Sequence, residues 1–217
     1  MFAGIVEETA FIAEIEEVKQ GKILEVVSSL DHTLTSIGDS IAIDGVCLTV
    51  VQLSQLDGMW RVSFDVASET LRCTTLGDLR KESPVHIERS LFVGDRLHGH
   101  FVSGHVDTTA ELVAKVEEGE TVKLTFSLDT AALDSAALDP SVMEYIVPKG
   151  SLAISGTSLT IGEVEKNSFS VYIIPHTSLV TKLGKLTVGE SVNIEYDMFA
   201  RYVVNFLKSS QLKTATK

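Results

Sequence analysis

The sequence predicts an all-β protein built as two tandem, homologous antiparallel β-barrels with short helices and a C-terminal α-helix. Three observations carry this. The chain repeats itself once, about 100 residues on. Its apolar runs are mostly short, partly alternating and separated by turn residues. A single apolar stripe at helical spacing follows the second copy.

The repeat centres on Ser40-Ile41-Ala42-Ile43-Asp44-Gly45-Val46-Cys47-Leu48-Thr49-Val50, which returns 111 positions later as Ser151-Leu152-Ala153-Ile154-Ser155-Gly156-Thr157-Ser158-Leu159-Thr160-Ile161. Ser40, Ala42, Ile43, Gly45, Leu48 and Thr49 recur unchanged, while Cys47 becomes Ser158. Gly4, Val6, Thr9 and Ala10 recur at an offset of 100; Leu76-Gly77, Leu79 and Ile87-Glu88 recur at 107. The changing offset locates the insertions. The second copy gains an Ala-rich stretch at 130–140, which reads as one or two helical turns, and the first copy is longer around 53–60. Two long copies are a duplicated domain rather than a solenoid. The expected units are 1–97, 98–197 and a helix and tail over 198–217.

In chain order, residues 9–18 and 22–27 read as strands. Residues 40–43 and 46–51 flank Asp44-Gly45, the strongest short hairpin signal, because both central residues tolerate positive φ. Ser155-Gly156 is its weaker equivalent. Further strands are expected over 60–66, 85–88, 122–128, 169–174 and 192–196. Short helices are expected over 69–75, with Ser68 as N-cap, and over 178–183. Met198, Phe199, Tyr202, Val203, Phe206 and Leu207 form one stripe on a terminal helix, which packs on its own chain or on another copy.

Eighteen basic against 30 acidic residues argue against nucleic acid as the main partner. Two cysteines make no disulfide framework, so a reducing cytoplasm is the natural reading. Glu7, Glu8, Glu14, Glu16 and Glu17 leave no basic leader, and no apolar run approaches the roughly 18 residues of a membrane span. His98, His100 and His105 raise a metal reading, but no further ligand of clear geometry follows them. They read better as a polar site wall, with His105 standing where the first copy has Ile5. Cys47 is either a nucleophile or a small buried residue, and no local pattern supplies a triad. No phosphate loop or dinucleotide fingerprint is present.

Met1-Phe2-Ala3-Gly4-Ile5-Val6-Glu7, Gly45-Val46-Cys47-Leu48-Thr49-Val50, Glu69-Thr70-Leu71-Arg72, Leu76-Gly77-Asp78-Leu79, Gly99-His100-Phe101-Val102-Ser103-Gly104-His105-Val106, Gly156-Thr157-Ser158-Leu159-Thr160 and Val192-Asn193-Ile194-Glu195 together resemble the riboflavin synthase family, alpha-chain type. The resemblance implies Greek-key barrels, a cytoplasmic homotrimer held by the C-terminal helix, sites shared between subunits, and association with lumazine synthase. It implies no cofactor and no metal. The implied reaction is the last step of riboflavin biosynthesis. Two molecules of 6,7-dimethyl-8-ribityllumazine exchange a four-carbon unit, giving riboflavin and 5-amino-6-(D-ribitylamino)uracil. The alternative is a non-catalytic antenna-type binder of lumazine or flavin. Such relatives generally lose one site, and both motifs are intact here. A flavin oxidoreductase would need a nicotinamide domain, and none is visible.

Carried over by position, one pteridine is expected to meet Gly4, Ile5, Val6, Cys47, Leu48, Thr49 and the run Asp65, Val66, Ala67, Ser68, Glu69 and Thr70. The other is expected to meet Gly104, His105, Val106, Lys149, Ser158, Leu159, Thr160 and the run Tyr172, Ile173, Ile174, Pro175, His176 and Thr177. Ser40 and Ser151 add hydroxyls. The backbone amides in the Cys47-Leu48-Thr49 and Ser158-Leu159-Thr160 strands are expected to read the pyrimidine edge. His105, Ser158 and Thr160 are expected to position one ring or shuttle its protons, and Cys47 or a water serves the other. Mutual orientation of the rings should dominate the rate. Phe2 is expected to close the site mouth, and Asp197 to support it from behind. Ala3 and Ser155 depart from the family pattern, where Thr and Asp or Asn are expected. Ser155 would then be a shortened acceptor near the second site.

Overall fold

The computed structural model describes residues 1–128 and 140–215. The Ala-rich stretch at 130–139 therefore lies outside the described residues. Each copy folds into a closed six-stranded barrel. The first contains β1 (Glu8–Val18), β2 (Gly21–Ser28), β3 (Ser40–Ile43), β4 (Val46–Leu56), β5 (Met59–Ala67) and β6 (Pro84–Arg89). The second contains β7 (Thr108–Glu118), β8 (Thr121–Ser127), β9 (Ser151–Ile154), β10 (Thr157–Val164), β11 (Ser168–Ile173) and β12 (Ser191–Tyr196). Around the first barrel the order is β1-β2-β5-β4-β3-β6, and the second repeats it strand for strand. The consecutive strands β3, β4 and β5 pair in turn, and β6 returns to lie beside β3, which is a Greek key.

Strand alternation decides what faces where. In β4 Val46, Leu48 and Val50 are buried in the core, so Cys47 and Thr49 stand on the barrel exterior. Both predicted hairpin turns have two successive residues at positive φ: Asp44 (47°) with Gly45 (78°), and Ser155 (42°) with Gly156 (80°). The extra residues near 53–60 lengthen β4 into a second such turn at Asp57-Gly58. Strand β7 was not legible on its own pattern; only its counterpart β1 points to it.

The short helices begin earlier than expected. α1 spans Ser68–Cys73, so Ser68 is its first residue and Ala67, which offers no side-chain cap, precedes it. α2 spans Pro175–Val180 rather than starting at Ser178, because Pro175 takes the first helical position, where its missing N–H costs nothing. A 3-10 turn follows each, at Thr75–Asp78 and Lys182–Lys185, capped by the hydroxyls of Thr74 and Thr181.

Each barrel has its own core, with Leu24, Phe64 and Ile87 in the first and Leu124, Phe126 and Phe169 in the second. A third cluster joins them: Phe2, Val102, Ala42 and Ala153. Phe2 and Val102 exchange backbone hydrogen bonds of 2.8 and 3.1 Å. Phe2 is fully buried there, which rules out the mouth-closing role expected of it.

The terminal helix α3 (Met198–Ala215) starts at Asp197, whose Oδ1 accepts the Phe199 N–H at 2.8 Å. Most of its apolar stripe is left uncovered by the described residues, although Phe199 meets the Phe101 ring edge-on at 6.4 Å between centroids. Phe199, Tyr202, Val203, Phe206 and Leu207 are all more than half exposed. Among the described residues no helix is long and apolar enough to cross a membrane.

Candidate active site

The two motif strands are bound to the opposite barrel. The Cys47 N–H donates to the Gly104 carbonyl at 2.8 Å, and the Ser158 N–H donates to the Gly4 carbonyl at 2.7 Å. These two amides are taken by the seam between barrels, so of the amides expected to read a pyrimidine edge Cys47 and Ser158 drop out. The expected grouping is corrected too: Gly104, not Gly4, adjoins Cys47, and Gly4 adjoins Ser158. Val106 likewise packs against the first barrel's core.

Two carboxylates hold the exchanged loops. Glu88 on β6 accepts the Ala3 N–H at 2.7 Å and the Gly4 N–H at 3.1 Å. Glu195 on β12 accepts the Ser103 N–H at 2.7 Å and the Gly104 N–H at 2.9 Å. Burial pushes the Glu88 carboxyl up to about 7, against the pull of the amides that point at it. Burial also raises Glu195, partly offset by Ser103 and Gly104. The loops approach so closely that only glycine fits: a Cβ on Gly4 (φ 74°) would lie 2.7 Å from the Ser158 Cβ, and one on Gly104 (φ 80°) would lie 2.5 Å from the Cys47 Cβ.

Beside each seam lies an outward face of the motif strand, the candidate groove. The candidate residues of the first are Cys47 and Thr49 from β4, Asp65 and Ala67 from β5, Ser40 from β3 and the α1 residues Ser68, Glu69 and Thr70. Exposed His105, with Gly104 and Val106, forms its wall from the second barrel. Ser158 and Thr160 from β10, Tyr172 from β11, Ile174, Ser151, Lys149 and the α2 residues Pro175, His176 and Thr177 surround the second. Gly4, Ile5 and Val6 form its wall from the first barrel. The side chains of Leu48, Val66 and Ile173 point into the barrel cores, and Leu159 packs against the second core. These four can offer a ligand only backbone. Glu69 is turned along its own helix to Arg72 and Cys73.

His100 was read only as part of a polar wall. Its Nδ1 lies 2.7 Å from the Ser158 Oγ. Burial lowers its pKa below the usual 6.5, partly countered by the nearby Asp197 carboxylate. The pair is therefore a neutral imidazole on a hydroxyl, able to take or return a proton at Oγ. Among the described residues its buried Nε2 meets no hydrogen-bond partner. Ser155, expected as an acceptor near the second groove, is buried between the barrels instead. Among the described residues no three His, Cys, Asp or Glu side chains converge as a metal site requires.

Three cavities lie beside other parts of the chain, though Ile5 lines one and Ser40 another. A 610 Å³ cleft runs between the barrels past Thr75, Asp78, Lys182 and Lys185. One of 330 Å³ lies under the linker beside Ile5, Arg89, Phe92 and His98, and one of 130 Å³ lies beside Ser40 and Asp39. Cys47, Thr49, Ser158 and Thr160 line none of them.

The fold defines a duplicated two-barrel protein whose halves meet in a pseudo-symmetric seam. A lumazine-binding-domain family model matches residues 3–90 and 103–197. The chain is 36% identical over 212 residues to riboflavin synthase of Schizosaccharomyces pombe, covering 96% of this chain and 95% of that protein. It is 37% identical over 215 residues to that of Bacillus subtilis (99% and 94% covered) and 39% identical over 215 residues to that of Mycobacterium tuberculosis (97% and 100%). A solved structure of LumP complexed with riboflavin superposes with a TM-score of 0.75 at 23% identity, covering 90% of this chain and 99% of that one, a likeness of fold. The chain belongs to the riboflavin synthase family of duplicated lumazine-binding domains.

Proposed function

We propose that this chain catalyses the dismutation of two 6,7-dimethyl-8-ribityllumazine molecules, by transfer of a four-carbon unit, to riboflavin and 5-amino-6-(D-ribitylamino)uracil. The two products together contain all the atoms of the two substrates, so no outside oxidant or reductant enters. One observation carries the reading: both motif copies keep an outward hydroxyl or thiol beside an outward threonine, in a chain of this family. A non-catalytic binder is not favoured, since the likeness to LumP is one of fold at 22–23% identity.

In this reading Cys47, Thr49, Asp65, Ala67, Thr70 and His105 surround one lumazine, and Ser158, Thr160, Tyr172, Ile174, Thr177 and Ile5 surround the other. The lumazine C7 methyl group is acidic because its ring accepts the charge, so a mild base suffices. His100, held neutral by burial, takes that proton through Ser158, with Thr160 orienting the ring. His105 and Cys47 serve the first groove.

The groove of one chain faces the opposite groove of a neighbour in a homotrimer. Support comes from the open grooves and from the exposed stripe of α3, which is suited to helix–helix contact. A cytoplasmic location fits the free thiols Cys47 and Cys73. The test is incubation of the purified protein with 6,7-dimethyl-8-ribityllumazine. Riboflavin at half the molar amount of substrate is the expected result. Bound lumazine without riboflavin would overturn the reading in favour of an antenna-type binder.

A further inference from the structure

Behind the grooves, the barrels meet at the turns Asp44-Gly45 and Ser155-Gly156. A Cβ on Gly45 would lie 2.5 Å from the Gly156 nitrogen, so the two turns touch through backbone. Beside them sits a clamp with twofold geometry and unlike residues. On one side the Asn193 Nδ2 donates to the Asp44 carbonyl at 2.9 Å, and its Oδ1 accepts the Thr75 N–H at 2.8 Å. On the other side the His86 Nδ1 donates to the Ser155 carbonyl at 2.7 Å, and its Nε2 accepts the Lys182 N–H at 2.7 Å. His86 thus imitates an asparagine with its two ring nitrogens. The imitation holds in one state only, the neutral ring with the proton on Nδ1. A second proton sets an N–H against the Lys182 N–H. Asn193 has no such state.

We propose that His86 is a positioning residue for the reaction, the proton-sensitive half of the clamp that fixes how the two barrels meet. The route to the grooves is short. His86 and Glu88 are two residues apart on β6 and share its outward face. Glu88 holds the Gly4 loop against Ser158. On β12, Asn193 and Glu195 do the same for Gly104 and Cys47. A shift of β6 against the second barrel moves a groove wall. Two charged groups face His86 from the elements packed on it: the Asp44 carboxylate, 3.9 Å from Nδ1, and the Lys182 ammonium, which pairs with Asp44. Burial is the largest influence and favours the neutral ring, with Lys182 acting in the same sense and Asp44 against it.

The proposal builds on the activity assigned above, and its test separates the two. His86→Asn keeps both clamp bonds and leaves the Asp44–Lys182 pair in place, so the variant differs from the parent chiefly in being unable to take a proton. Steady-state riboflavin formation is measured from about pH 5 to 8, spanning the usual histidine range. Protonation of His100 lowers kcat on the acid side in both, but the parent chain should lose it more steeply than His86→Asn, with KM within about twofold in both, since a displaced wall misorients bound rings. His86→Ala should lose roughly tenfold or more in kcat even at neutral pH. Superimposable acid limbs for the parent and His86→Asn, or parent-like kcat in His86→Ala, would overturn the role. Thermal unfolding of the parent and His86→Asn across the same range tests the clamp without any assay of activity. A steeper acid loss of Tm in the parent supports it, and parallel profiles overturn it even if His86→Ala does not fold. Absence of riboflavin from the parent chain would instead sink the assigned activity.

Discussion

Gly104→Ala attacks the seam where the second barrel's loop meets Cys47. The added Cβ would lie 2.5 Å from the Cys47 Cβ and 2.8 Å from its nitrogen. Ordinary carbon contacts begin at about 3.5 Å, so something must move by about 1 Å. Neither side gives easily: the Cys47 N–H is tied to the Gly104 carbonyl, and the Gly104 N–H to Glu195. The φ of 80° adds a second cost. A left-handed backbone costs an alanine about 1–2 kcal/mol and overpacking about 1–3 kcal/mol, together roughly 2–5 kcal/mol. Gly58→Ala separates the two costs, because Gly58 has the same φ of 80° with nothing within 4 Å. It should show the backbone cost alone. For a chain of this length about 2–4 °C of Tm goes with each kcal/mol, so Gly104→Ala should unfold about 2–12 °C below Gly58→Ala. It should also lose roughly ten- to a hundredfold in kcat, as expected of a displaced site wall, whereas Gly58→Ala, remote from both grooves, keeps its rate. Differential scanning calorimetry and riboflavin absorbance read both quantities. Equal Tm and equal kcat in the two variants would refute the close-packed seam.

The remaining expectations are compact. His100→Asn should lower kcat by roughly 100-fold or more, the usual scale for a proton-transfer group, with KM little changed; a parent-like rate would remove the imidazole from the proton path. Cys47→Ala and His105→Gln test the first groove, and full turnover in either takes that side chain out of the mechanism. Glu88 sits near 7 when folded against 4.5 ordinarily, so the folded chain holds more protons between those values and its stability falls as pH rises through that window. Glu88→Gln should remove this slope from Tm plotted against pH, and an unchanged slope would show that the carboxyl is not raised. Phe206→Asp places a charge in the exposed stripe of α3 and should reduce the sedimenting species to a smaller one with each barrel still folded; an identical sedimentation coefficient would argue against the helix as the trimer contact.

Much of the fold was legible because the duplication supplies two readings of each element. Asp44-Gly45 announced its hairpin, and the weaker Ser155-Gly156 was read from its partner. Boundaries failed where local chemistry overruled periodicity: Pro175 drew α2 forward by fixing its first turn, and Ser68 became helical instead of capping. The candidate site was legible as a list of residues but not as an arrangement. Nothing in the motifs says that Gly4 crosses to Ser158 while Gly104 crosses to Cys47, since that exchange depends on how the two barrels dock. For the same reason Phe2 was expected at the site mouth and proved to be the buried link between barrels. His100 was hidden because its partner, Ser158, lies 58 positions away. A signal was nonetheless available: histidine beside Gly99, where a Cβ would lie 2.1 Å from the Ala3 carbonyl oxygen, marks a backbone crossing.

The exchange of loops explains why the duplication has to stay in one chain. Each motif strand is bound to a loop of the other barrel, so the surroundings of both depend on a single docking angle. The reaction sets a contrary demand, because one lumazine must give four carbons and the other receive them. Identical halves would build identical cradles. The sequence meets both demands by keeping the glycines and carboxylates that define the seam, Gly4 with Glu88 and Gly104 with Glu195, and differing where a side chain leaves the backbone path alone. Cys47 against Ser158 and His86 against Asn193 are such places. A thiol and a hydroxyl fill the same outward position, and imidazole and amide present a donor and an acceptor at matching points. Asymmetry of chemistry is thereby laid on symmetry of frame, and variants that equalise a pair, such as Cys47→Ser or His86→Asn, change the chemistry while leaving the frame in place.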